Sequence, residues 1–141
     1  MEFSFLYWLQ ELRNPFLDSL MPAVTFLGNG GWFWIFLGVI LLAGKRTRKT
    51  GLAVLLSLLA GLIIGNLFLK NLVARSRPCW IDPSVPLLIG VPQDYSFPSG
   101  HTLASFEAAV SVWFYNRRWG TVLLVLGVII GFSRMYLFVH F

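Results

Sequence analysis

Four long apolar runs, separated by two short basic turns and one longer connector, set the pattern of this chain. Ser19 to Gly44 carries no charge but is interrupted by Gly28-Asn29-Gly30-Gly31. A span needs about 20 apolar residues, so the run predicts one helix over its second part, with a break near an interface. Thr50 to Leu69 is uncharged and Leu-rich, the clearest span. Ser99 to Asn116 is apolar except for a few groups that include Glu107, and Trp119 to Val139 is apolar until Ser133 and Arg134. Residues 1–18 alternate apolar positions (Phe3, Leu6, Tyr7, Leu9) with polar ones (Glu2, Gln10, Glu11, Arg13), which predicts a short helix lying in the interface. The expected fold is therefore all-α: a polytopic transmembrane helical bundle of about four spans plus an N-terminal interfacial helix.

The connectors give orientation. Lys45-Arg46-Thr47-Arg48-Lys49 and Asn116-Arg117-Arg118 are short and basic, as cytoplasmic turns are. The connector over residues 70–98 holds five prolines and two acids, and one span separates it from each basic turn. It is expected to be extracytoplasmic. Lys70, Arg75 and Arg77 oppose that assignment unless they serve a site. Trp8, Trp32 and Trp80 would then mark the outer interface, and Trp113 and Trp119 the inner one.

Composition agrees with lipid as the solvent. The 141 residues are 57% hydrophobic and 12% charged, with mean hydropathy +0.73. A soluble domain carries roughly 25% charged residues, and a short chain buries only a modest part of its surface. The net charge of +5 sits at the ends of apolar runs and suits headgroups or loop orientation better than nucleic acid. One cysteine, Cys79, excludes an internal disulfide and a thiolate zinc cluster. The first residues hold two acids and no basic region, so they do not read as a removable signal peptide.

With both basic turns on one side, three polar clusters fall at the opposite ends of different spans. Lys70 and Arg77 are seven residues apart and share a helix face if the helix runs that far, although Pro78 discourages helix at Arg77. Asn66 belongs to the same face. Pro98-Ser99-Gly100-His101 reads as a helix start, with Ser99 as N-cap, free backbone N–H groups for an anion and His101 in the first turn. Ser133 and His140 are also seven apart, and Arg134 is an ionisable group inside an apolar run, which by default is functional. Each cluster alone is also readable as snorkelling cations or an ordinary cap. Together they gather three cations, a serine, a glycine and two histidines, a site for a multiply charged anion. No carboxylate cluster is there to hold Mg²⁺ and two histidines make a poor zinc site, so metal-independent chemistry is expected.

Lys70-x6-Arg77-Pro78, Pro98-Ser99-Gly100-His101 and Ser133-Arg134-x5-His140 resemble the three-part signature of the type-2 phosphatidic acid phosphatases. That superfamily also holds bacterial acid phosphatases and vanadium haloperoxidases, the latter soluble and at odds with this hydropathy. The resemblance covers residues 70–140. It implies that Lys70, Arg77, Ser99, Gly100 and Arg134 bind phosphoryl oxygens, that His140 attacks phosphorus to form a phosphohistidine, and that His101 protonates the leaving group. No cofactor is implied, and the partners are a lipid phosphate substrate and membrane lipids, with no obligate protein partner. The expected reaction is hydrolysis of a lipid phosphate monoester or diphosphate (phosphatidylglycerol phosphate, phosphatidic acid or a polyprenyl diphosphate) at the outer leaflet. The alternative is a non-catalytic lipid-phosphate-binding membrane protein.

The family's third motif continues His-x-x-x-Asp, whereas this sequence stops at Phe141. Residues 1–141 are therefore expected to be one membrane-embedded phosphatase domain, incomplete at its C-terminus and slow in turnover. Glu107 is expected to be structural, Arg75 a surface or headgroup contact, Cys79 a bystander, and Asp82 and Asp94 loop and turn residues.

Overall fold

All 141 residues are described in the computed structural model, which is helical throughout, with no strand. Asn14 starts α2 (Pro15–Phe26): its side chain accepts the Leu17 N–H, and Pro15 fills the first position, where a missing N–H costs nothing. The Gly28–Gly31 break is real. Gly30 and Gly31 have φ of 59° and 69°, a region glycine enters without a Cβ clash, and α3 (Trp32–Ala43) begins after them. α4 (Arg48–Gly61) continues through a π-helical stretch, Leu62–Leu69, into one last turn, α5 (Lys70–Val73). α6 (Pro78–Ile81) is a single turn, and α7 (Gly100–Tyr115) and α8 (Arg117–Tyr136) form the closing hairpin. At its bend the Asn116 side chain caps α8 by accepting the Trp119 N–H.

Lipid offers no hydrophobic drive between spans, so close backbone approach has to hold them together. Glycines provide it at two crossings. A Cβ on Gly51 of α4 would lie 2.3 Å from the Leu42 nitrogen of α3, and one on Gly120 of α8 would lie 2.2 Å from the Trp113 Cα of α7. Trp34, Val54, Ala108, Val112 and Ile130 fill the centre between α3, α4, α7 and α8. Leu52, Leu56, Leu59, Phe114, Val122 and Val125 face outward, an apolar exterior that suits acyl chains.

Two segments, Arg48–Ile81 and Arg117–Tyr136, are long and apolar enough to cross a membrane. α2 and the 29–43 segment, bent by 43° at their junction, make a third if they form one span. Against the expected four spans, α7 falls short on length: its 16 residues reach only about 24 Å. It nevertheless packs between α4 and α8, with Leu103 over Gly65 and Ser105 opposite Gly127.

The helix expected over residues 1–18 is shorter: α1 (Glu2–Glu11) ends before the Asn14 cap, residues 15–18 belong to α2, and α1 is docked against the bundle. Leu6 and Leu9 are buried against Tyr136, Leu137, Phe138 and Val139. Tyr7 donates to Asp82 at 2.7 Å, and Gln10 donates to the Tyr136 carbonyl at 3.1 Å. α1 thereby braces the end of α8 where His140 lies.

Candidate active site

The antiparallel helices put the two basic turns at one end of the bundle. At the other end meet the 28–31 break, the α5–α6 connection, the start of α7 and the end of α8.

Lys70 and Arg77 come together by a route other than a shared helix face. The helix ends at Val73, Ala74 turns left-handed (φ 47°), and Arg77 is extended (φ −85°, ψ 151°), the conformation Pro78 imposes on its predecessor. What joins the two cations is Asp94. Its carboxylate accepts from the Lys70 ammonium with one oxygen and from Arg77 Nη2 at 2.7 Å with the other. Asp94 is therefore no simple loop residue. Burial pushes its carboxyl upward, but the Lys70 hydrogen bond and the charges of Arg77 and Lys70 prevail and hold it down at about 2. It stays ionised at any physiological pH.

Arg77 is 2% exposed, and all of its donors are in use. Nε donates to the Asp94 carbonyl at 2.6 Å, and Nη2 to the Asp94 carboxylate and, at 3.3 Å, to the Tyr95 carbonyl. Nη1 donates to the Val139 carbonyl at 2.7 Å and meets His140 Nε2 at 2.8 Å. A guanidinium cannot accept, so His140 Nε2 presents its lone pair. The neutral ring then carries its proton on Nδ1, 3.4 Å from Ser96 Oγ. Burial first, then the charges of Arg77 and Arg134, push the His140 pKa well below the usual histidine range.

His140 gets there through a turn and not through helix periodicity. α8 ends at Tyr136, Phe138 adopts a left-handed φ of 58°, and the His140 N–H returns to the Arg134 carbonyl at 3.3 Å. A buried phenylalanine in that conformation is strained, and its stack on Tyr7 of α1 helps to hold it. Ser133 stays out of the site: it is buried and donates to the Ile130 carbonyl at 2.6 Å.

Ser99 caps α7 as its sequence implies, accepting from the Thr102 N–H at 3.4 Å and the Thr102 hydroxyl at 3.1 Å. Its own hydroxyl proton is left for another acceptor. His101 Nε2 lies 2.8 Å from Asn29 Oδ1 and 3.5 Å from Arg134 Nη1. A Cβ on Gly28 would sit 2.6 Å from the His101 ring, so the Gly-Asn-Gly-Gly break both makes room for this histidine and supplies its partner. Arg134, 4% exposed, donates to Thr25 Oγ1 at 2.8 Å; its Nε has no partner, and no carboxylate pairs with it. Asn66 faces Gly100 with its buried Oδ1 unpartnered.

A cavity of about 650 Å³ is walled by Asn29, Asn66, Arg77, Asp94, Gly100, His101 and Arg134, and continues along Phe26, Ile35, Leu58, Leu62 and Leu103. Glu107 lies in that wall against Gly61 and pairs with none of the cations. His140 and Ser99 open instead onto a second cavity of about 380 Å³ beside Ser96 and Thr102. Arg77 stands between the two, touching His140 on one side and lining the larger cavity on the other. Arg75 is tied down outside: it pairs with Glu2 at 2.7 Å and covers the Phe141 ring at 4.2 Å.

Asp94, Asn29, Thr25 and Ser96 were not singled out from the sequence as site residues. Two buried cations seven residues apart require a counter-charge, and the 70–98 connector offers only Asp82 and Asp94, so Asp94 had a legible signal.

Three buried cations and two histidines are thus gathered at one end of a helical membrane bundle. Residues 50–141 match the PAP2 superfamily, and the chain belongs to it. It is 34% identical over 128 residues to an undecaprenyl-diphosphatase from Sulfolobus acidocaldarius, with 88% of this chain and 61% of that protein aligned. It is 31% identical to undecaprenyl-diphosphatase BcrC of Bacillus subtilis (92% of this chain, 66% of that one) and 32% identical to phosphatidylglycerophosphatase B of the same organism (92% and 67%). The chain thus spans about two thirds or less of the length of most of these relatives. The crystal structure of a transmembrane PAP2 type phosphatidylglycerolphosphate phosphatase from Bacillus subtilis superposes with a TM-score of 0.79 at 24% identity, covering 99% of this chain and 73% of that one. The fold is the same.

Proposed function

We propose that this protein is a metal-independent membrane phosphatase that removes the terminal phosphate of a lipid monoester or diphosphate. The observation that carries the reading is Arg134: a buried guanidinium with no acidic partner, on the same cavity as Arg77 and His101. A charge in that position is costly unless an anion arrives to meet it. The apolar extension of the cavity suits a lipid, and the names of the relatives point to a polyprenyl diphosphate or phosphatidylglycerol phosphate, with phosphatidic acid a third candidate.

In the proposed reaction Lys70, Arg77, Ser99, Gly100 and Arg134 hold the non-bridging oxygens. His140 Nε2 attacks phosphorus, the N–P bond forms as the bond to the leaving oxygen breaks, and His101 gives that oxygen a proton. Water, losing a proton to His101, then cleaves the N–P bond and releases inorganic phosphate. The test is phosphate release from a panel of the three lipids by the detergent-solubilised protein. Vanadate is expected to inhibit, since it imitates five-coordinate phosphorus, and EDTA is expected to leave the rate unchanged. EDTA inhibition reversed by Mg²⁺ would sink the metal-free reading.

We further propose one membrane-embedded domain with residues 70–98 extracytoplasmic, which follows from the basic turns at the other end. Cys79 cannot report this, because it is only 6% exposed. Gln93 is exposed on the same loop. A Gln93→Cys protein in intact cells is expected to react with a membrane-impermeant maleimide well above the wild-type background. Labelling only after permeabilisation would invert the topology.

A further inference from the structure

Asp94 holds both Lys70 and Arg77, two of the cations to which the proposed phosphate would bind, and lines the same cavity as Arg77. Its two carboxylate oxygens satisfy Lys70 and Arg77 as two phosphoryl oxygens would, and no Arg77 donor is left over. The two cations are fixed, their side chains 9% and 2% exposed, whereas the Asp94 side chain is 56% exposed on a loop without regular structure. The partner free to leave is the carboxylate.

We propose that Asp94 is an internal counter-anion of the cradle, and that a phosphoryl group binds by replacing its carboxylate on Lys70 and Arg77. The inference rests on the phosphatase reading. Displacement frees one Arg77 donor and one Lys70 donor together. The carboxylate also keeps two buried cations from standing unpaired between substrates, the condition that makes isolated buried charge so costly.

Binding through displacement has a measurable signature. The cradle is competent only in the fraction of molecules whose Asp94 has swung out, and the apparent dissociation constant of any anion is raised by the inverse of that fraction. Asp94 therefore sets a threshold. A phosphomonoester dianion held by several donors passes it, whereas a weakly held monoanion, such as the diester phosphate of an ordinary membrane lipid, does not accumulate in the site.

The experiment measures orthovanadate affinity by calorimetry in detergent for the wild type, Asp94→Asn and Asp94→Ala. Asp82→Asn serves as control: it removes one charge from the same loop, where Asp82 pairs with Tyr7 and Ser84 and touches no cation of the cradle. Asp94→Asn and Asp94→Ala are expected to bind vanadate tighter by on the order of tenfold, the worth of one partly exposed charge-assisted contact. Asp82→Asn is expected to match the wild type. Weaker binding by both Asp94 variants would make Asp94 a residue that positions Lys70 and Arg77, and unchanged binding would make it a bystander; either overturns the inference while leaving the phosphatase reading intact. Absence of vanadate binding in every form overturns both. Should the variants not fold, the wild type decides by infrared difference spectroscopy. Vanadate is expected to shift an aspartate carboxylate band as its cationic partners are lost, and an unperturbed carboxylate region would overturn the proposal.

Discussion

Replacing His140 with alanine is expected to lower turnover by roughly 10⁴- to 10⁶-fold, the scale seen when a covalent nucleophile is removed. The geometry argues for this nitrogen in particular. Nε2 accepts from Arg77 Nη1 at 2.8 Å, so its lone pair is exposed toward the guanidinium that would hold the phosphoryl group. The other nitrogen faces Ser96 Oγ, which gives its proton an acceptor while Nε2 bonds to phosphorus. Burial among cations keeps the ring neutral, hence nucleophilic, across the working pH range. Quenching the wild type with ³²P-labelled substrate is expected to trap an acid-labile, base-stable phosphoenzyme, absent from His140→Ala. Vanadate is expected to bind His140→Ala more weakly but still measurably, because the fifth ligand is lost while the cradle cations remain. A phosphoenzyme that survives the substitution would move the nucleophile elsewhere.

The parts of this molecule legible in its sequence are those governed by local rules. Hydropathy placed the long runs, since each must match the bilayer. The Gly30-Gly31 break and the Ser99 cap follow from backbone preferences confined to a few residues. Arguments from helical periodicity failed where the helix stopped. Lys70 and Arg77 do not share a face, because the chain leaves the helix at Val73, and Ser133 and His140 do not, because α8 ends at Tyr136. In both cases the residues reach the same end of the bundle by turns whose shape depends on tertiary packing, Phe138 against Tyr7 being the clearest.

The missed residues share a different cause. Asp94 lies 24 and 17 positions from the cations it joins, Asn29 is 72 from His101, and Thr25 is 109 from Arg134. No spacing rule reaches so far. Only a charge balance over the connector would have pointed to Asp94, and only the question of what stands opposite the start of α7 would have pointed to Asn29.

His101→Ala is expected to cost roughly 10²- to 10⁴-fold in turnover on a lipid phosphate, the usual contribution of a general acid. Its place supports that role. His101 is in the first turn of α7, lines the larger cavity, and has Nε2 2.8 Å from Asn29 Oδ1. That oxygen, an acceptor, orients an Nε2–H, and the neighbouring Arg134 at 3.5 Å can add no acceptor of its own. Entering as the imidazolium so oriented, His101 gives a proton to the leaving oxygen that develops charge as the P–O bond breaks, and is left a neutral imidazole able to take one from water. The loss should therefore depend on how badly the leaving group needs protonation. With an alkoxide leaving group the full penalty is expected, and with p-nitrophenolate, stable without a proton, most of it should vanish. The measurement is kcat for both substrate types in wild type and variant, with vanadate affinity as a check that the cradle is intact. Asn29→Ala, which removes the orienting oxygen and leaves the imidazole, is expected to show the same dependence with a smaller amplitude. A uniform loss across leaving groups would instead make His101 a residue that binds the phosphoryl oxygens, and the second-step base would then have to be sought among the other groups on the cavity, Glu107 first.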